Sequence, residues 1–155
     1  HSSLKPDAVV QYWARAANAI KGISQGAKVL MSPCQHAYSD MQYDTASIFG
    51  LHWAAYIEVD DAYNWDPATL VPEITRENIV GVEAPLWAET ISTSGEAEYL
   101  IYPRLPGYAE IGWTQAWMRN WDEYKTRLAS HGRRTQVIDI NFYRSPLVQW
   151  ELEGE

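Results

Sequence analysis

Three short apolar runs punctuate the chain, AVVQYW (8–13), KVLMSP (28–33) and GVEAPLW (81–87), and helical stretches or a long loop separate them. ARAANAIKGISQG (14–26) is alanine-rich and closes on Gly26, the signature of a helix with a glycine stop. STSGEAEYL (92–100) places Ser and Thr ahead of Glu, a helix-start pattern. Two prolines, Pro103 and Pro106, then lead into apolar residues at helical spacing, which predicts a helix over about 106–118. WDEYKTRLASHG (121–132) predicts an amphipathic helix closed by Gly132. The order is strand, helix, strand, long loop, strand, helix, helix. Such alternation calls for βα units around a parallel sheet. The third run is apolar along most of its length, as a strand covered on both faces would be.

Length then limits the architecture. A complete eight-stranded βα barrel takes about 250 residues and rarely fewer than about 200, whereas this chain has 155. It is too short to be such a barrel and long enough to be part of one. No internal repeat or low-complexity linker divides it, so the reading is a single domain over 1–155. The segment from Cys34 to about Asn78 has no clear period beyond a helical turn or two around 45–63; loops of that length usually carry function.

Charge excludes some partners. Twenty acidic against twelve basic side chains give a net charge of −8, the wrong sign for nucleic acid or an anionic membrane surface. No apolar run approaches the roughly 20 residues that cross a bilayer, and nothing at the start reads as a signal peptide, so the compartment is left open. Cys34 and His36 form a C-x-H pair, but no other Cys or His cluster completes a zinc site. The expectation is no metal and no cofactor. The aromatic choice is skewed: eight Trp and ten Tyr against two Phe. Indoles and phenols join an apolar body to a polar tip, which suits surfaces that stack and hydrogen-bond together. Sugar rings offer that combination of faces and edges.

In βα barrels the chemistry sits at the C-terminal ends of the strands. The first run ends at Trp13. The second leads into QHAYSDMQYD, where an extended segment would put Tyr38 and Asp40 on one side by period-2 alternation. The third ends in Trp87-x-Glu89. Each has a plainer explanation: a Trp at a strand end is commonly core, and Y-x-D after a strand is commonly a turn. Together they offer two indoles, a phenol and two carboxylates to a shared mouth.

GVEAPLWAETI followed by EYLIYPRLPGYAEIGWT resembles the last strand and following helix of the glycoside hydrolase family 20 β-N-acetylhexosaminidases, with their Leu-Trp-x-Glu and Pro-Arg-Leu…Ala-Glu…Trp pattern. The likeness extends to VVQYW, AYSDMQYD, GLHWAAYIEVDDAYNWDP and the RLASHG…INFYR ending, and so covers essentially the whole chain. It implies an α/β fold, the last three βα units of a (β/α)8 TIM barrel plus C-terminal helices. It also implies hydrolysis of terminal non-reducing N-acetylhexosamine, GlcNAc or GalNAc, by substrate-assisted retaining catalysis, the exception to two-carboxylate glycosidases. On the same resemblance Trp13 and Trp87 are walls of the acetamido pocket, and Tyr38 orients the acetamido carbonyl. Asp40 and Glu89 accept the C4 and C6 hydroxyls, and Trp53 is a stacking platform for the next sugar. Arg104 and Glu110 are expected to be structural.

One departure matters. The family's catalytic Asp-Glu pair follows a His-x-Gly-Gly pattern that this sequence lacks. Asp122-Glu123, its only Asp-Glu dipeptide, falls in the first turn of a helix, where acids suit the macrodipole. Asp60-Asp61 is expected to cap or to be solvated. The chain therefore resembles a C-terminal fragment of the catalytic domain with the sugar-binding half and no acid–base pair, inactive alone. Its expected partners are N-acetylhexosamine-terminated glycans or chito-oligosaccharides, with self-association or pairing with the rest of a barrel. Two other readings stay open: a non-catalytic carbohydrate-binding module using the same residues, and a structural domain whose Trp residues are all core.

Overall fold

The computed structural model describes residues 3–5 and 7–154. Three parallel strands, β1 (Val9–Tyr12), β2 (Lys28–Met31) and β3 (Ile79–Val82), lie in the order β1-β2-β3. The helices are α1 (Ala16–Ile23), α2 (Cys34–Ala37), α3 (Val59–Tyr63), α4 (Ser94–Ile101), α5 (Arg104–Trp113) and α6 (Trp121–Val137), with 3-10 turns at Arg76–Asn78 and Ala116–Met118.

β1 and β2 pair in register, Val10 opposite Val29 and Tyr12 opposite Met31. These four share the face that packs under the helices, where Val29 and Met31 are fully buried with Ile57, Ile74, Tyr108 and Ile111. α1 lies close over β1: a Cβ on Gly22 would fall 2.8 Å from the Val10 side chain. Gly26 takes φ +89° just beyond α1, the left-handed stop its position predicted. A second cluster is built from rings. Tyr43 stacks on Tyr143 at 4.0 Å and Tyr63 on Tyr124 at 4.1 Å, with Leu128 and Val148 buried beside them.

Several sequence expectations shift. The third strand is Ile79–Val82 rather than 81–87, because Glu83 and Pro85 turn the backbone out of the ladder after the Glu83 N–H bonds Met31. It is an edge strand with Val80 55% exposed, not one covered on both faces; its apolar run reflects the loop beyond it as much as the strand. α5 begins at Arg104 and ends at Trp113, so the helix expected over 106–118 is split, with the 3-10 turn as its second piece. Gly132 does not stop α6, which continues to Val137. The glycine is there for packing, since its Cβ would lie 2.6 Å from Trp150 Cε3.

Other local readings hold. Thr93 Oγ1 accepts the Glu96 N–H at the start of α4. Asp122 and Glu123 occupy the first turn of α6, where Asn120 caps the Glu123 N–H. Asp61 accepts the Glu58 N–H in a capping box at α3. Among the described residues, neither the outer edge of β1 nor that of β3 is paired, and Val9 and Val80 stand exposed on them. No helix among the described residues is long and apolar enough to cross a membrane.

Candidate active site

The C-terminal ends of the three strands converge because their exits are tied together. The Cys34 N–H donates to the Trp13 carbonyl, carrying the chain after β2 alongside the end of β1. The Ser39 N–H donates to the Pro85 carbonyl at 2.7 Å, which joins the segment after β2 to the loop after β3. α2, a single helical turn, intervenes before Tyr38, and Tyr38–Met41 then forms a turn closed by the Met41 N–H on the Tyr38 carbonyl. The expected period-2 alternation is therefore absent. Tyr38 and Asp40 share a side through the turn.

Gln11, Trp13, Tyr38, Asp40, Trp53, Trp87 and Glu89 line one concavity of about 350 Å3. Each side chain expected at the mouth is present in it. Trp13 lies one residue past β1, whereas Trp87 and Glu89 lie in the loop well beyond β3. The Tyr38 ring stands edge-on to Trp53 at 6.0 Å and tilted to Trp87 at 6.2 Å, so the phenol sits between two indoles. Trp13, Trp53 and Trp87 are each about half exposed, at 47%, 57% and 48%, which leaves their faces open to a ligand. Trp65, by contrast, is buried against His36 and takes no part.

Asp40 is the electrostatic centre. It is 1% exposed, and among the described residues its Oδ1 has no hydrogen-bond partner. Burial raises its proton affinity above the ordinary carboxylate value; the backbone N–H groups of Asp40 and Trp87 and the charge of Arg104 pull it down, and Glu89 adds to the rise. Burial likewise raises Tyr38, so the phenol remains a protonated donor at neutral pH. The carboxylate and the phenol thus offer an acceptor and a donor a few residues apart, walled by indoles.

Gln11 was not legible as a site residue, since a glutamine in a short apolar run carries no chemical signal. The structure ties it into a ladder across all three strand ends: its Nε2 donates to Ser32 Oγ and Glu83 Oε2, and Ser32 Oγ donates to Glu83 Oε2 at 2.7 Å. Gly50 was missed as well. It adopts φ +94°, and a Cβ there would meet the Asp40 carbonyl at 2.7 Å, so only glycine lets the loop close on Asp40. Asp122 and Glu123 lie away from the concavity on α6. Among the described residues, no group of three or more metal-ligating side chains gathers.

Parallel strands flanked by helices, with indoles and carboxylates gathered in one hollow beyond their C-terminal ends, define an α/β protein whose three-stranded sheet is consistent with part of a βα barrel. Comparison with known proteins is more specific. The catalytic-domain model of glycosyl hydrolase family 20 matches residues 1–116, and the chain belongs to that family. It is 42% identical over 154 residues to the β-N-acetylhexosaminidase of Cellulomonas fimi, covering 97% of this chain and 31% of that protein. The Streptomyces plicatus N-acetyl-β-hexosaminidase in complex with Thio-NAglucal is 41% identical and superposes with a TM-score of 0.87 over 92% of this chain and 30% of its own. The family 20 enzyme of Streptomyces coelicolor A3(2), at 40% identity, gives the same TM-score over the same shares. The chain spans less than a third of the length of these relatives.

Proposed function

We propose that this chain supplies the sugar-holding part of a β-N-acetylhexosaminidase, as the last three βα units of a family 20 catalytic barrel, residues 1–155 forming one C-terminal piece of that domain. The enzyme removes terminal non-reducing N-acetylhexosamine from glycans or chito-oligosaccharides by substrate-assisted, retaining cleavage. The observation that carries the reading is the single hollow shared by Trp13, Tyr38, Asp40, Trp53, Trp87 and Glu89, with a buried, unpartnered carboxylate oxygen on Asp40. Its volume, about 350 Å3, falls at the small end of ligand pockets, which run from about 300 to 1,000 Å3.

In this mechanism the acetamido oxygen of the sugar attacks its own anomeric carbon. Trp13 and Trp87 hold the acetamido arm between apolar walls. The Tyr38 phenol donates to the acetamido oxygen and keeps it in line, which is catalysis by positioning. Asp40 Oδ1, left without a partner in the fold, accepts a sugar hydroxyl with Glu89 beside it, and Trp53 stacks under the following ring. Proton transfer to the leaving oxygen falls to the family's Asp-Glu pair, whose His-x-Gly-Gly context this chain lacks and which Asp122-Glu123 on α6 does not replace, so the 155-residue chain by itself holds sugar without cleaving it. The open edges of β1 and β3 take the neighbouring strands of the barrel or, in the isolated chain, another copy.

Saturation-transfer NMR with N-acetylglucosamine, and glucose as control, tests this directly. Transfer strongest at the acetyl methyl, none to glucose, and no turnover of an aryl N-acetylglucosaminide is the expected result. Equal transfer to both sugars would reject the acetamido pocket. Turnover that disappears in Glu89→Gln would reject the assignment of proton transfer to residues outside this chain.

A further inference from the structure

Arg104 is fully buried, and among the described residues none of its hydrogen bonds goes to a carboxylate. Its donors go to main-chain carbonyls instead: Nη2 to Ser39 at 2.7 Å and Leu100 at 2.6 Å, Nη1 to Met41 at 2.9 Å and Ile57 at 3.1 Å, and Nε again to Leu100. The guanidinium carbon lies 3.9 Å above the centre of the Tyr43 ring. Burying an unpaired guanidinium costs several kcal/mol unless its donors are all satisfied. A side chain used merely to fill the core would be better replaced by an apolar one.

The identity of the carbonyls gives the reason for keeping the charge. Ser39 and Met41 are the two neighbours of Asp40 in the chain, and Ser39 follows Tyr38. Ile57 closes the loop that carries Trp53, and Leu100 belongs to α4. One planar fork therefore fixes the backbone on both sides of Asp40 and ties it to the start of α5. A flexible turn would let the buried carboxylate swing out to water, since Oδ1 has nothing to hold it in the pocket. Arg104 also lies close enough to pull the proton affinity of Asp40 down against burial.

Resting on the sugar-pocket reading above, we propose that Arg104 is a positioning residue for substrate: its carbonyl clamp on Ser39 and Met41 sets the Tyr38–Asp40 turn in the geometry that receives the sugar. It touches no ligand and acts through those two side chains. Lysine keeps the charge but offers a point donor rather than a fork, and cannot span four carbonyls.

The test compares Arg104→Lys with Tyr43→Phe in the 155-residue chain. The control removes a hydroxyl bonded to the Tyr99, Leu100 and Tyr102 carbonyls and leaves Ser39 and Met41 untouched. Both variants lower Tm, and both are measured where they are folded by circular dichroism. Arg104→Lys is expected to lose the Tyr38–Trp87 ring cross-peaks in NMR and to weaken N-acetylglucosamine binding by about tenfold or more, equivalent to about 1.4 kcal/mol. Tyr43→Phe is expected to keep both. Arg104→Lys retaining the cross-peaks, or the two variants losing affinity in proportion to Tm, overturns the proposal. If no sugar binds the wild type, the pocket reading fails while the cross-peaks still judge Arg104. Should Arg104→Lys not fold, the wild type decides under increasing urea. Arg104 Nη protection and the Tyr38–Trp87 cross-peaks must vanish in one step, and cross-peaks that outlast the protection overturn the idea.

Discussion

Asp40→Asn is expected to make the protein more stable and worse at its task. Asp40 is 1% exposed, one carboxylate oxygen has no partner, and burial raises its proton affinity. An unsatisfied buried acceptor costs about 1–3 kcal/mol, and more when it is charged. Asparagine is isosteric: its oxygen can keep the Trp87 backbone N–H, and its amide leaves the other position unpartnered but neutral, so the substitution relieves the burial of charge rather than the missing hydrogen bond. Loss of the attraction to Arg104 offsets part of the gain, leaving about 1–2 kcal/mol. For a chain of this length each kcal/mol moves Tm by about 2–4 °C, so a rise of roughly 3–6 °C at pH 7 is the expected reading in calorimetry or thermal circular dichroism. The pH dependence carries the sign. The folded-state proton affinity is raised, so the wild type is unpenalised below the unfolded carboxylate value of 3.8 and loses stability as pH rises through the folded value. The advantage of Asp40→Asn should therefore be small near pH 3.5, grow with pH and level off. The same variant should show weaker saturation transfer to N-acetylglucosamine. A lower Tm at pH 7, or a gain independent of pH, would refute the reasoning.

Two further substitutions probe the frame around the site. Gly132→Ala improves helix propensity by about 1 kcal/mol, yet its Cβ meets the Trp150 ring at 2.6 Å, and overpacking of that kind costs about 1–3 kcal/mol; a net fall in Tm is expected, and a rise would mean that Trp150 moves freely. Thr93→Ala removes the cap that accepts the Glu96 N–H at 3.2 Å and should cost about 1 kcal/mol, with faster amide exchange confined to the first turn of α4.

The parallel sheet follows from the alternation of strands and helices along the chain, and the helix start at Thr93 and the left-handed stop at Gly26 follow from residues acting on their own backbone within a few positions, so the sequence carries these features. The strand-end residues Trp13, Tyr38, Asp40, Trp87 and Glu89 were legible as candidates because a tryptophan or carboxylate closing an apolar run stands out, and their roles came from resemblance. Local pattern misjudged the extent of β3, since an apolar run cannot tell a ladder from the loop that leaves it. It also misplaced the end of α6, because a glycine signals a helix stop and a tight contact with the same letter.

What only the tertiary structure decided are relations between residues far apart in the chain. Arg104 reaches carbonyls 63 and 65 residues away, and carbonyls are the same at every position, so no sequence pattern could name them. Gln11 joins Ser32 and Glu83 because three parallel strands end side by side. Gly50 is required by the approach of the Asp40 carbonyl rather than by its own neighbours. Side-chain chemistry is written locally and survives in the sequence; backbone groups acquire their partners only when the chain closes on itself, and in this protein those partners fix the backbone on both sides of Asp40.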